Sequence, residues 1–412
     1  MNSAATTPLQ ELPLSSDIET KAVLKRLPSA HAALAELKGI AATIPNQSIL
    51  INTLGLQEAK DSSAIENIIT THDDLYKQEL NPTTVQSLAA KEVQNYIAAL
   101  KKGVGLVITK KALTTSTILT IREVLEKNNA AFRKLPGTEL KSSQTGKTIY
   151  TPPQHIDDVE RLMKNLEQFI NDKEMSDYDP LVKMAVIHYQ FESIHPFYDG
   201  NGRTGRIINI LYLMLERLLN MPIMYLSHYI IRNKEDYYRL LQEVREHDKW
   251  EEWLLFIIEG IEQTARETID LIIQILDMMQ DYKQKLQNRY KFYSQNLLNN
   301  LFKHPYTKIE FVQKDLSVSR ITAANYLNQL AEDGFYRPGW CPHQPESWVG
   351  LLVRTPTTAY KLLCQPAIVP VVDEPLIQRL SPGWRIPLQS KNHQVTAPVG
   401  VPTNRKAGLG CW

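Results

Sequence analysis

Apolar residues recur three and four positions apart through most of the first 300 residues, which is the spacing of one buried face of an α-helix. This pattern predicts helices within residues 17–105, with interruptions at Pro82 and at Gly103–Gly105. It continues beyond residue 156 and predicts further helices at Asp157–Ile170, Leu181–Ile194, Thr204–Leu219, Lys234–Arg245 and Lys249–Leu276, then a polar helix from Asp277 to about Asn300. The fold class is therefore predicted to be mainly α.

One short segment has the pattern of strands. Lys141–Tyr150 consists of two short extended arms around Gln144–Lys147, and Pro152-Pro153 ends the segment. We therefore expect a β-hairpin before the helix at Asp157.

A small unit is predicted at residues 301–335. Ile309–Leu316, a turn and Ser319–Leu330 have the spacing of a helix-turn-helix. The residues expected to face inward are Ile321, Ala324, Leu327 and Leu330.

The composition changes after Phe335. The last 77 residues contain 11 of the 23 prolines, four of the six tryptophans and all three cysteines, and neither a helical nor an alternating period continues there. Two interpretations stay open, a disordered or loosely folded tail and a rearranged coding end. The predicted domains are 1–105 (N-terminal helices), 106–262 (catalytic), 263–300 (connecting helix), 301–335 (winged-helix-like) and 336–412 (irregular tail).

Composition excludes few classes of protein. The 46 basic and 45 acidic residues give a net charge of +1, so the overall charge does not indicate binding to nucleic acid or to an anionic membrane. The N-terminus lacks the basic and apolar regions of a secretory signal, and the apolar run Ile207–Leu219 is too short to span a membrane. Three cysteines imply no disulfide framework, which favours a cytoplasmic location and no membrane partner.

The segment from His195 to Arg206 contains the candidate chemistry. A very apolar and therefore rigid helix ends at His195, whose ordinary pKa suits a general base at neutral pH. Gly200 and Gly202 flank Asn201, so backbone N–H groups in this loop can approach an anion at the start of the next helix.

Three charged residues complete this arrangement. Arg203 and Arg206 lie three apart on one side of the predicted helix, and Asp199 offers a carboxylate oxygen for Mg²⁺. Each feature alone is more often structural, as a helix cap, a solvated pair or a turn. Together they indicate phosphoryl or nucleotidyl transfer, in which positioning and charge neutralisation provide most of the catalysis.

The segment resembles the motif of the Fic family, HxFx(D/E)GNGRxxR, at every defined position. The resemblance implies a Fic-type helical bundle with a β-hairpin flap, and transfer of AMP from Mg-ATP to a hydroxyl side chain of a protein. His195 would accept the proton of the target hydroxyl, Phe197 would anchor the loop, and Asp199 would bind Mg²⁺. The implied nucleotide-binding residues are Gly200, Asn201, Gly202, Arg203, Thr204, Gly205, Arg206, Tyr237 and Tyr238.

The Fic family includes kinase-like and phosphocholine-transferring members, and the motif helps to distinguish between these branches. The kinase-like branch usually lacks the second glycine, so Gly202 favours adenylylation. The hairpin at Lys141–Tyr150 resembles the flap that aligns a target segment by strand addition. Tyr237-Tyr238 occupies the position that commonly contacts adenine, and packing in the core is the alternative.

A second motif lies upstream. Ser62-Ser63-Ala64-Ile65-Glu66-Asn67 resembles the family's inhibitory motif, (S/T)xxxE(G/N). Glu66 is expected to pair with Arg206, where it would occupy the guanidinium needed by the γ-phosphate and repel that phosphate. In parts of the family this glutamate also helps to remove AMP, and members of this arrangement often modify themselves and form homodimers.

A DNA-binding regulator is the alternative from another class, because of the helix-turn-helix at residues 301–335. Such units usually carry a surplus of positive charge. Here four basic residues are balanced by four acidic ones, Lys303, Lys308, Lys314 and Arg320 against Glu310, Asp315, Glu332 and Asp333. The sequence therefore favours an enzyme with an accessory unit over a DNA-binding protein.

Overall fold

The computed structural model describes residues 9–71, 75, 87–141, 145–303, 307–339 and 350–353. These residues form helices α1 (Lys21–Ala41), α2 (Ser48–Ile65), α3 (Leu88–Lys110), α4 (Thr115–Glu126), α5 (Ile156–Asn171), α6 (Pro180–Ile194), α7 (Asn201–Leu215), α8 (Leu226–Arg232), α9 (Lys234–His247), α10 (Trp250–Arg289), α11 (Gln295–Lys303), α12 (Ile309–Leu316) and α13 (Arg320–Glu332). Two antiparallel pairs of strands accompany them, β1 (Leu140–Lys141) with β2 (Thr148–Tyr150) and β3 (Tyr336–Gly339) with β4 (Gly350–Val353). The mainly α fold class with a hairpin is confirmed.

Helix α6 lies at the centre of the core. Every residue from Leu181 to Ile194 is buried, as expected of a helix that is apolar on all sides. Asp179 caps its start by accepting a hydrogen bond from the Leu181 N–H at 2.8 Å. Trp253 of α10 donates its indole N–H to the Ala185 carbonyl at 3.1 Å. These contacts fix the first half of α6, the helix that leads into the motif.

Helix α2 is joined to two neighbouring helices through one buried carboxylate. Glu58 is 2 % exposed and accepts hydrogen bonds from the Tyr96 hydroxyl of α3 at 2.9 Å and from the Ser227 hydroxyl of α8 at 2.5 Å. Burial raises the pKa of Glu58 to about 7, although these hydrogen bonds act in the opposite direction. This contact holds the end of α2, which carries Ser62, against the body of the protein.

The predicted connecting helix has different bounds in the structure. Helix α10 runs without a break from Trp250 to Arg289, which at about 1.5 Å per residue is roughly 60 Å. It ends at Tyr290, whose φ of −125° and ψ of 125° are extended, and α11 begins at Gln295. Residues 263–300 therefore contain parts of two helices, because local periodicity does not detect the short break at residues 290–294 between them.

The C-terminal unit differs from expectation in two respects. Ile321 is 75 % exposed, and the buried positions of α13 are Ala323, Leu327 and Leu330. Residues 336–339 and 350–353 pair as strands within the segment predicted to be irregular. Pro338 and Gly339 are poor strand formers, so the sequence gives little signal there. The rest of that segment, 340–349 and 354–412, lies outside the described residues.

The predicted flap is present as β1 and β2. Gly146 has a φ of +66° in the turn between them, which is the conformation that glycine adopts readily. Gln144 lies outside the described residues. No helix in the described part of the chain is long and apolar enough to cross a membrane.

Candidate active site

His195 follows directly after α6 and has a left-handed backbone, with φ of 48°. This conformation turns the chain from the helix into the loop. Two residues on, Phe197 is completely buried, with its ring centroid 5.6 Å from that of Phe132 and 6.3 Å from that of Phe191. Phe197 therefore anchors the loop in the core, as the motif predicted.

The surroundings of His195 favour its neutral form. Burial, together with the positive charges of Arg133 and Arg245, lowers the pKa of His195 to about 3. A ring with this pKa carries no proton on its basic nitrogen at neutral pH. That nitrogen can therefore accept a hydrogen bond from a hydroxyl group placed within reach, which is the arrangement a general base requires.

The loop after Phe197 is shaped to receive an anion. Gly200 caps α7 with a φ of +79°, and a Cβ atom there would lie 2.3 Å from Glu126 Oε1. No side chain caps the start of α7, so its first N–H groups point toward the loop without a side-chain acceptor. Amides at a helix N-terminus attract phosphate oxygens, as predicted for the backbone around Gly200 and Gly202.

Three residues of the predicted nucleotide site have structural contacts instead. The Asn201 amide accepts from the Phe197 N–H at 2.9 Å and donates to the Phe197 carbonyl at 2.8 Å. Thr204 is completely buried, and a Cβ atom at Gly205 would lie 2.5 Å from Glu192 Oε1 on α6. We assign these residues to loop shape and helix packing, because inward-facing positions cannot contact a nucleotide through their side chains.

Arg203 is surrounded by carboxylates from three segments. It lies 2.8 Å from Glu66 and 2.8 Å from Glu92 of α3, and 3.0 Å from Glu126 of α4. Its side chain is only 2 % exposed. Asp199 is farther away, at 3.9 Å. Arg203 is therefore held by several acidic groups, and loss of one of them leaves it paired.

Among the described residues, the hydrogen bonds of the Arg206 side chain go to the end of α2. Its Nε donates to the Ser62 hydroxyl at 2.7 Å, and its Nη2 donates to the Ser62 carbonyl at 2.9 Å and to Glu66 Oε1 at 2.8 Å. Burial lowers the pKa of Arg206, but the combined attraction of Glu66, Glu192 and neighbouring tyrosines outweighs it and the net shift is upward. The predicted pairing of Glu66 with Arg206 is thus present, and Glu66 also reaches Arg203 through its other oxygen.

The last position of the upstream motif has a conformational explanation. Asn67 has a φ of +64°, in the left-handed region that asparagine and glycine tolerate best. Its side-chain oxygen accepts a hydrogen bond from Lys234 at 3.2 Å. This turn directly after α2 places Glu66 over the two arginines, and a Cβ atom at Gly202 would lie only 2.6 Å from Glu66 Oε1. Gly202 therefore leaves room for the pair.

Asp199 fits a Mg²⁺ ion that is held mainly by phosphates and water. Its side chain is 72 % exposed at the mouth of the loop. In the described residues no group of three or more histidine, cysteine or acidic side chains could enclose a metal. A single carboxylate is the usual protein contribution to a Mg²⁺ bound with a nucleotide.

The two tyrosines occupy different environments. Tyr237 is 2 % exposed, donates or accepts a hydrogen bond with His188 at 2.8 Å, and packs on Trp253. For Tyr237 we therefore adopt the alternative interpretation, a core residue. Tyr238 is half-buried and lies where Arg206 influences it electrostatically, so contact with adenine stays a prediction for Tyr238.

Sequence reasoning missed several residues around the site. Arg133, Glu92, Glu126 and Glu192 each contact or face a residue of the motif. Burial raises the pKa of both Glu126 and Glu192 to about 7. From the sequence no helix was predicted at α4, so no pattern pointed to Glu126.

Comparisons with known families agree with this geometry. Residues 112–213 match the Fic/DOC family, residues 24–105 match "Fic/DOC family N-terminal", and residues 278–338 match "Protein adenylyltransferase SoFic-like, C-terminal domain". Together these matches cover more than half of the chain. The chain belongs to the Fic family.

Individual relatives are more distant. The chain is 24% identical over 193 residues to protein adenylyltransferase Fic of Drosophila erecta and 28% identical over 169 residues to that of Aedes aegypti. These alignments cover 46% and 40% of this chain but only 37% and 32% of the relatives. A crystal structure of a Fic family protein from Desulfovibrio desulfuricans is similar in fold, with a TM-score of 0.52, 20% identity and coverage of 83% of this chain and 98% of that one.

Proposed function

We propose that the protein transfers AMP from Mg-ATP to the hydroxyl group of a serine, threonine or tyrosine in a protein target. The supporting features are a neutral histidine, a loop lined by backbone amides, and two buried arginines on the helix that follows this loop. The relatives in Drosophila erecta and Aedes aegypti are named as protein adenylyltransferases, which favours the same activity here.

The proposed reaction is one displacement at the α-phosphorus. The target hydroxyl oxygen bonds to the α-phosphorus while the bond from that phosphorus to the bridging oxygen breaks, and pyrophosphate leaves with the electron pair. His195 accepts the hydroxyl proton. Asp199 would hold Mg²⁺, which neutralises phosphate charge when bound. Arg203 and Arg206 balance the charge at the β- and γ-phosphates.

The same geometry supports an inhibited resting state. Glu66 uses one oxygen for Arg203 and the other for Arg206, so a γ-phosphate must displace a carboxylate to reach Arg206. This double contact is the main support for an inhibited state, because one carboxylate occupies both arginines that would bind the phosphates. Self-modification, homodimer formation and removal of AMP remain extensions of this proposal.

Transfer of label from α-labelled ATP to proteins of a host lysate tests the function. We expect a labelled band with Glu66→Gly, a weaker band with the wild type, and none with Glu66→Gly combined with His195→Ala. Loss of a positioned base removes roughly 10²–10⁴ in rate, while ATP binding by calorimetry should survive. Equal labelling by the double variant would contradict the role of His195, and absence of label from Glu66→Gly with every lysate would contradict AMP transfer.

A further inference from the structure

The segment directly before the flap runs alongside the catalytic loop, and its residues contact the loop one after another. Phe132 packs on Phe197, and the Arg133 N–H donates to the Pro196 carbonyl at 2.9 Å. The Lys134 and Leu135 N–H groups both donate to the Tyr198 hydroxyl, each at 3.0 Å. We call residues 132–135 the brace.

Arg133 makes the central contacts of the brace. Its Nε donates to the His195 carbonyl at 2.8 Å, and its Nη2 donates to the Ile194 carbonyl at 3.3 Å. The same Nη2 also donates to the Pro153 carbonyl, which follows strand β2 of the flap. One planar guanidinium thus fixes the last turn of α6, the left-handed histidine and the end of the flap together.

The charge of Arg133 is not neutralised by a nearby acid. Arg133 is 1 % exposed, and among the described residues none of the ion pairs includes it. Its Nη1 is buried without a hydrogen-bond partner in the same part of the chain. A buried charge without a counter-ion is costly, so a merely structural role would be served better by a neutral donor.

We propose that Arg133 is a positioning residue for His195: it fixes the backbone of the histidine against the end of the flap, and its positive charge acts on the imidazole ring. This inference rests on the proposed function, in which His195 accepts a proton. The charged groups that act on His195 are Arg133 from the brace and Arg245 from α9, and the Glu192 backbone of α6 forms a hydrogen bond with it. Tyr150 of the flap donates its hydroxyl to the neighbouring Ser193 carbonyl at 2.9 Å. Arg245 stacks on the Tyr150 ring at 4.0 Å and contacts Ser193, so it supports the same end of α6.

Two substitutions separate charge from geometry. Arg133→Met removes the charge, and we expect the pKa of His195 to rise by about one unit, which is about a tenfold larger protonated fraction at a given pH. Arg133→Lys keeps the charge but cannot hold all three carbonyls. It should leave the titration of His195 unchanged and lower kcat roughly 10- to 100-fold with little change in KM for ATP, since small misplacements are costly.

The titration is measured by NMR on protein with labelled histidines, with His195→Ala to assign the resonance. Arg122→Met is the matched control, because Arg122 is also buried, lies 5.4 Å from the Phe197 ring and donates to the Ala130 carbonyl just before the brace. It should destabilise the loop without moving the titration of His195.

The kcat values are measured on full-length protein that also carries Glu66→Gly. Either of two results overturns the inference: a His195 titration in Arg133→Met equal to that in Arg122→Met, or full activity in Arg133→Lys. If Arg133→Met does not fold, the kcat of Arg133→Lys decides. The NMR titration of His195 does not depend on AMP transfer. If the Glu66→Gly protein transfers no AMP, the proposed function is refuted, but the effect of Arg133 on His195 can still be measured.

Discussion

Replacing Glu66 by glycine should increase AMP transfer, although most substitutions beside an active site reduce it. The reason is that its two carboxylate oxygens contact different arginines. Oε2 contacts Arg203, which keeps Glu92 and Glu126 as partners when Glu66 is lost. Oε1 contacts Arg206, which then keeps only its bonds to Ser62.

The size of the effect follows from that one contact. A hydrogen bond between charged groups contributes on the order of 1.5–3 kcal/mol. The Glu66 side chain is 21% exposed, so the upper end of this range is less appropriate. Since about 1.4 kcal/mol corresponds to a factor of ten in rate, we expect activation of roughly ten- to a hundredfold.

Single-turnover transfer from α-labelled ATP is the suitable assay. Glu92→Gln is the matched control, because Glu92 pairs with Arg203 at the same 2.8 Å yet forms no ion pair with Arg206 within the described residues. It should activate little. Glu66→Gly combined with Arg206→Ala should lose the gain, and ADP binding should depend on Glu66 far less than ATP binding does. Equal rates for Glu66→Gly and Glu92→Gln would refute the reasoning.

Two further predictions concern stability. Burial raises the pKa of Glu192 to about 7 from an ordinary 4.5, so its contribution to stability is present below pH 4.5 and is lost as the pH rises through 7. Glu192→Gln should therefore stabilise the protein more at pH 8 than at pH 5 in urea unfolding, and an equal effect at both values would contradict this. Tyr237→Phe removes the partner of His188 Nε2, while Nδ1 keeps Asn209, and should cost about 1–3 kcal/mol of unfolding free energy with unchanged ATP affinity by calorimetry. Weaker ATP binding at equal stability would instead indicate that Tyr237 contacts the nucleotide.

The sequence predicted most helices because their apolar periodicity is strong, but it did not predict α4 (Thr115–Glu126) or α8 (Leu226–Arg232). Helices predicted at Asp157–Ile170 and Leu181–Ile194 are observed within one residue at each end. The motif also predicted that Glu66 would meet Arg206, 140 positions away. That prediction came from resemblance, since no local pattern specifies which distant side chains meet.

The residues for which the structure shows other contacts than the nucleotide have one feature in common. Asn201, Thr204 and Tyr237 have polar atoms, and a one-dimensional pattern cannot tell whether a polar atom serves a ligand or the protein's own backbone. Asn201 serves the backbone of Phe197 with both ends of its amide. Conversely, Arg133 lies in a segment without periodicity, so its contacts with three carbonyls arise only from the tertiary arrangement.

The position of α2 has a thermodynamic consequence. This helix ends at Glu66, and it also packs against α11, the first helix of the C-terminal unit. A nucleotide that displaces Glu66 and a ligand that moves α11 would therefore both act on this one helix. If such a ligand binds more tightly when α2 shifts, then linkage requires that ATP and that ligand raise each other's affinity by the same factor. Measuring the affinity of either one at saturating concentrations of the other would give this coupling free energy directly.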